Sequence, residues 1–206
     1  MSRNNITIAF YSNSTNVSCS DGAGSPAGAL TFTTASYNVN YACFNLNELV
    51  SGNVTGWKRP PTNLRLEPYQ DGVNYTVSNQ NLYSNSTIFI GFFLQSVNKS
   101  VQAGQAAPRQ VLMYNTPDCV DAVPGQGSTP ARIRETTCQT QSGGDCHTTP
   151  ESYKSFRLGP SWYQIARDGK CKAYEDYFPS AASMSVKTSA LAISGFAIFA
   201  VVLTGL

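Results

Sequence analysis

Charge is scarce in this chain: Asp, Glu, Lys and Arg make up 13% of its 206 residues, about half the roughly 25% usual in soluble globular domains. Ionised side chains are therefore not the main solvating groups, and amides, hydroxyls or attached sugars must take their place. The bases that do occur, among them Lys58, Arg59, Arg65, Arg132, Arg134, Lys154 and Arg157, are interleaved with acids, and the net charge is +2. That excludes the concentrated basic face a nucleic-acid partner requires. Histidine is nearly absent. With His147 the one imidazole and no Cys-x-x-Cys spacing, the usual Cys/His ligand sets cannot form, so no metal or cofactor is expected. The nucleophile elbow, phosphate loop and dinucleotide fingerprint are missing as well.

What is present points to an oxidising compartment. Cys19, Cys43, Cys119, Cys138, Cys146 and Cys171 form an even set, read as a disulfide framework with fifteen possible connectivities. Asn5, Asn13, Asn16, Asn53, Asn74, Asn85 and Asn98 each begin an Asn-x-Ser/Thr triplet without an intervening proline, the acceptor pattern for N-linked sugar. All these triplets precede residue 101, whereas Cys119, Cys138, Cys146 and Cys171 follow it. The first half reads as sugar-coated and the second as stapled.

Helical periodicity is rare before the C-terminal tail, and short alternating runs are common. In residues 5–11, NITIAFY, Ile6, Ile8 and Phe10 share one face and Asn5 and Thr7 the other. In 72–78, GVNYTVS, Val73, Tyr75 and Val77 face inward and Asn74 outward, so the acceptor asparagines fall on the polar face. Further strands are expected in ALTFTT, YNVNYACF, RQVLMY, ARIRETT, YKSFRL and CKAYEDYF. STIFIGFFLQSV is apolar on both faces, with Ile88, Ile90, Phe92 and Leu94 on one and Phe89 and Phe93 on the other, as in a central strand or one covered on both sides. Asn85 and Asn98 flank it as gatekeepers against aggregation. Gly/Pro/Asn-rich segments, including SGNVTGWKRPPTN and QSGGDCHTTP, read as connecting turns. The expectation is an all-β sandwich or Greek-key barrel-like domain with disulfides, plus an apolar helical tail. The β domain spans 1–179, as one unit or as subdomains 1–104 and 105–179.

Residues 190–206 are mostly apolar. As a helix they would reach roughly 25 Å, short of the ~30 Å hydrocarbon core of a bilayer. Preceded by small residues 180–182 and a polar spacer at 183–189, they fit a removable signal for glycosylphosphatidylinositol attachment, with Ser180 as the attachment residue. The opening MSRNNITIAFYSNS lacks the apolar run of a secretory leader. Either the true start lies upstream, or the tail inserts into a membrane after synthesis and the domain stays cytosolic with reduced thiols.

Two stretches echo each other. AFYSNSTNVSCSDGAG and LMYNTPDCVDAVPG both give an apolar strand ending in Tyr, a polar turn and Cys-x-Asp. If the echo is structural, Cys19 pairs with Cys43, Cys119 with Cys138, and Cys146 with Cys171. Scattered cysteines, acceptor-rich strands and the ending FPSAASMSVKTSALAISGFAIFAVVLTGL resemble the small lipid-anchored cell-surface glycoproteins of filamentous fungi. The Tyr-turn-Cys echo is similar to the paired Greek keys of crystallin-like domains, although the aromatic-x4-aromatic-x-Gly signature and the calcium-loop motif are missing, so no calcium ligands are implied. The first resemblance implies a non-catalytic protein outside the plasma membrane or in the cell wall, with glycans or surface proteins as partners.

Catalytic candidates are few. Cys146 and His147 are adjacent, but neighbours in a loop seldom align a base on its neighbour's sulfur, and a disulfide removes the thiol. Carboxylate chemistry would draw on Asp118 with Asp121 or Glu175 with Asp176, as in a carbohydrate-active enzyme. Binding would draw on Trp57, read as a loop residue beside Lys58 and Arg59, and on Trp162 and Tyr163; these aromatics can stack on a sugar ring or plug the ends of the sandwich.

Overall fold

The alternation of residues 6–10 becomes the inner strand of a sheet. β1 (Ile6–Ser12) buries Ile6, Ile8 and Phe10 and turns Thr7 the other way. In the computed structural model, which describes residues 5–12, 17–36, 41–59, 72–96, 102–120, 132–161, 171 and 173–174, β1 is flanked by β2 (Leu30–Thr34) and β6 (Phe89–Ser96). With β4 (Thr55–Lys58), β5 (Val73–Ser78) and β9 (Asp145–Tyr153) these form a six-stranded antiparallel sheet in the order β4-β5-β2-β1-β6-β9. A second antiparallel sheet has five strands. Its order is β11-β8-β7-β10-β3, from β3 (Ala42–Asn45), β7 (Ala106–Tyr114), β8 (Arg132–Cys138), β10 (Ser155–Pro160) and β11 (Ala173–Tyr174).

The sheets meet across aromatic side chains. Phe10 of the first sheet lies 5.4 Å from Phe156 of the second, and Phe32 lies 4.8 Å from Phe44 and 5.1 Å from Phe156 between ring centroids. Tyr75 closes the cluster against Phe32 and Phe44. Each such pair adds about 0.5–1.5 kcal/mol beyond the area it buries, so this seam is what fixes one sheet on the other. The halves of the chain are interleaved: β3 joins the second sheet beside β10, and β9 joins the first beside β6. A cut between 104 and 105 therefore does not separate the sheets. Lys154 alone divides β9 from β10; its N–H donates to Tyr114 O and its carbonyl accepts from Leu46 N, carrying the chain from one sheet to the other.

Several expectations need correction. β4 and β9 form where Gly- and Thr-rich turns are expected, and a short helix α1 (Leu46–Ser51) follows β3. In β6 a bulge against β9 between Phe89 and Gly91 shifts the phase. Phe89 thus joins Phe92 and Leu94 in the main core, while Ile88, just before the strand, is exposed. Phe93, on the opposite face, is buried with Ala9 and Ala29 under residues 17–29.

The disulfides are Cys19–Cys146, Cys43–Cys119 and Cys138–Cys171. None is a pair drawn from the sequence echo, because each bridge joins segments that the strand order, not the sequence, makes neighbours. Cys19–Cys146 fastens the 17–29 loop to the start of β9, helped by Gly22 N–H to Gly144 O at 2.7 Å and Gly24 N–H to Gly143 O at 2.8 Å. Gly144 is required there: its φ is +83° and the Phe93 ring fills the space a Cβ would occupy. Among the described residues no helix is long and apolar enough to cross a membrane. The spacer and tail at 183–206, like Ser180, lie outside the described residues.

Candidate functional site around Trp57

Trp57 belongs to β4, the edge strand of the first sheet, and not to a loop. Pairing dictates what surrounds it. Residues directly opposite share a face, so Trp57 with Asn74, and Thr55 with Thr76, point outward, while Gly56 with Tyr75 and Lys58 with Val73 point toward the core side. The indole is 55% exposed and rests against Gly72, whose missing side chain makes room: a Cβ there would come within 2.4 Å of the ring. Trp57 therefore does not plug the sandwich.

The same face carries a row of polar side chains. Gln95, Thr7, Thr33, Thr76 and Thr55 are successive partners across β6, β1, β2, β5 and β4, and Thr7 and Thr33 hydroxyls lie 3.5 Å apart. Asn5, one residue ahead of β1, and Asn74 lead the triplets that place Thr7 and Thr76 in this row. Asn5, Asn53, Asn74 and Asn85 are all exposed; Asn13, Asn16 and Asn98 lie outside the described residues.

Inward of this edge lies a carboxylate pair that the sequence reading did not assemble. Asn45 Nδ2 donates both to Glu48 Oε1 at 3.0 Å and to Asp118 Oδ1 at 2.7 Å, and Asp118 N–H returns a bond to Asn45 Oδ1 at 2.7 Å. Lys58 Nζ is 3.1 Å from Glu48 Oε2. The Asn45 hydrogen bond, then Lys58, hold Glu48 below the usual carboxylate range against burial and the nearby Asp118 charge. Glu48 thus stays ionised at neutral pH, an acceptor for the Asn45 amide and the Lys58 ammonium and not a proton donor. Its visible role is to hold Asp118 at φ +57° in the Pro117–Cys119 turn that Cys43 clamps. Asn45 three residues before Glu48 is a capping-box spacing, the signal that could have revealed both α1 and this contact. Asp121, Glu175 and Asp176 lie outside the described residues, as do Trp162 and Tyr163.

A second polar cluster surrounds Cys146. Asp21 Oδ1 accepts from Cys146 N–H at 2.6 Å, and Tyr11 O–H donates to His147 O at 3.2 Å. Burial, with Asp21 adding, pushes the Asp145 carboxyl above its ordinary range and the Tyr11 phenol likewise. His147 packs on Phe92 at 4.8 Å between centroids, and Arg134 sits 5.8 Å from the same ring. Burial, then Arg134, lower the imidazole to about 4, against the opposing charge of Asp21. His147 is thus neutral at pH 7, and Cys146 is in a disulfide, so the adjacent Cys/His pair has no thiolate to activate. Among the described residues no group of three or more His, Cys, Asp or Glu is placed to hold a metal ion.

No protein family, curated protein or solved structure matches the chain in comparison with known proteins.

Proposed function

We propose that this is a secreted, N-glycosylated, non-catalytic protein of the cell surface or wall, tethered by a lipid attached near Ser180. The observation that carries the reading is a division of labour between bridged sulfur and exposed amide. All six cysteines are engaged in disulfides, and every described acceptor asparagine is exposed. A cytosolic, tail-inserted domain would keep its thiols reduced, so the bridges favour the outward-facing form. The hydroxyl and amide row on the outer face supports a surface solvated by neutral polar groups and sugar, in keeping with the low charge. Trp57, exposed on the same face, offers an aromatic surface that matches a pyranose ring.

The enzyme alternative draws no support from the acids around Trp57, since Glu48 is ionised and Asp118 is committed to a turn. The test is release from intact cells expressing the full-length gene. Phosphatidylinositol-specific phospholipase is expected to free the protein into the medium, and glycosidase treatment to lower its mass. A protein that stays with the cells after phospholipase, with its mass unchanged by glycosidase, would overturn the reading.

A further inference from the structure

We propose that the exposed indole of Trp57 is the seat of the protein's own sugar: the first N-acetylglucosamine on Asn74 stacks on Trp57 across the β4–β5 pair. This rests on the reading of the chain as N-glycosylated, and adds which sugar the aromatic meets.

Geometry carries it. Asn74 uses its backbone on the side away from β4: its N–H donates to Ser36 Oγ at 2.9 Å and its carbonyl accepts from Thr34 Oγ1 at 2.7 Å. Val77, three residues on, instead donates to Val54 O on the β4 side at 2.7 Å. Trp57 and Asn74 are therefore a non-hydrogen-bonded cross-strand pair, the kind in which Cα atoms approach to about 4.5 Å and side chains lie closest. A sugar linked to the Asn74 amide begins at the level of the ring. Because the indole leans on Gly72, two residues before Asn74 and just ahead of β5, one ring surface is backed by protein and the rest is left open. Pyranose C–H groups match such an aromatic face, and the adjoining Thr76 and Thr55 hydroxyls lie beside it for the polar substituents.

The arrangement also answers the liability of β4. A short edge strand bearing an exposed Trp57 and, just before it, an exposed Val54 is an invitation to pair with another chain, and a sugar folded over it closes that edge. An external ligand would have to displace a tethered ring already at high local concentration.

The test uses the full-length chain from a eukaryotic secretory host, carrying Trp162→Phe so that Trp57 is the single tryptophan. Acrylamide quenching of its fluorescence is compared for the intact glycoprotein, after an endoglycosidase that leaves the first N-acetylglucosamine, and after an amidase that removes it. Protection is expected to survive the first treatment and vanish with the second, the quenching constant rising about two-fold as a ring face is uncovered. Asn74→Gln should match the amidase product. In the unsubstituted chain the same contact is expected as a nuclear Overhauser effect between the Trp57 indole and the first sugar. Unchanged quenching and no Overhauser effect with Asn74 occupied would overturn the proposal. Asn74 bare while other acceptors carry sugar would overturn it and leave the glycoprotein reading standing. All acceptor asparagines bare would overturn both.

Discussion

A lone imidazole beside a cysteine invites a catalytic interpretation, and the surroundings of His147 turn it into a packing residue. Its pKa of about 4 in the folded protein lies below the ~6.5 of an exposed histidine. Between those values the unfolded chain binds more protons than the folded one. The contribution is therefore fully present above about pH 6.5 and is lost as pH falls toward 4, by up to about 3 kcal/mol. Asp145, raised by burial and Asp21, acts in the opposite sense, since its protonation relieves a buried charge. His147→Phe keeps the stack on Phe92 and removes the titration. Urea midpoints measured at pH 7 and pH 5 are expected to diverge for the parent chain and to converge for this variant; an equal drop in both would contradict the assignment. None of this was visible in the sequence, which shows a His in a Gly-rich turn but not the phenylalanine and arginine that close over it. Trp57 was as opaque: tryptophan is usually well buried, and only the strand order reveals an edge with Gly72 beneath the ring.

Elements were more legible than sites. Strict alternation marked β1, β2 and β5 correctly, because one face of each is buried and the other wet. β4 and β9 were hidden by their Gly, Thr and Pro content, which reads as turn although edge strands tolerate it. α1, six residues long, is too short for a periodic signal. The bulge in β6 broke the period-two reading at Phe89. Disulfide partners were the least accessible, since Cys19 and Cys146 are separated by 127 residues and meet only because β9 docks beside β6. That bridge holds the loop over Ala9 and Phe93, so Cys19→Ala with Cys146→Ala should cost about 2–5 kcal/mol. Amide exchange should rise first at Gly22 and Gly24, whose hydrogen bonds to Gly143 and Gly144 lose their fastening. A loss spread evenly, with those amides still protected, would show that the loop is held by packing alone.

At the scale of the molecule, two antiparallel sheets share one aromatic seam, and most strand pairs join distant segments. Such a topology pays for loop closure before it gains contacts and folds slowly, which suits a protein matured where bridges can form and sugars can shield exposed strands. Beyond the part covered by residues 17–29, the outer face of the first sheet carries Thr7, Thr33, Thr76 and Thr55, with the exposed Asn74 on the same face. Composition anticipated this polar, uncharged surface, but only the register gathers its parts into one row.

The central claim, an oxidised body with sugar on its exposed amides, is tested most directly by peptide mapping of the protein recovered from the cell surface without reduction. The account predicts linked peptides for Cys19 with Cys146, Cys43 with Cys119 and Cys138 with Cys171, and glycan on Asn74 among the exposed acceptors. Free thiols at these positions together with unmodified asparagines would contradict it.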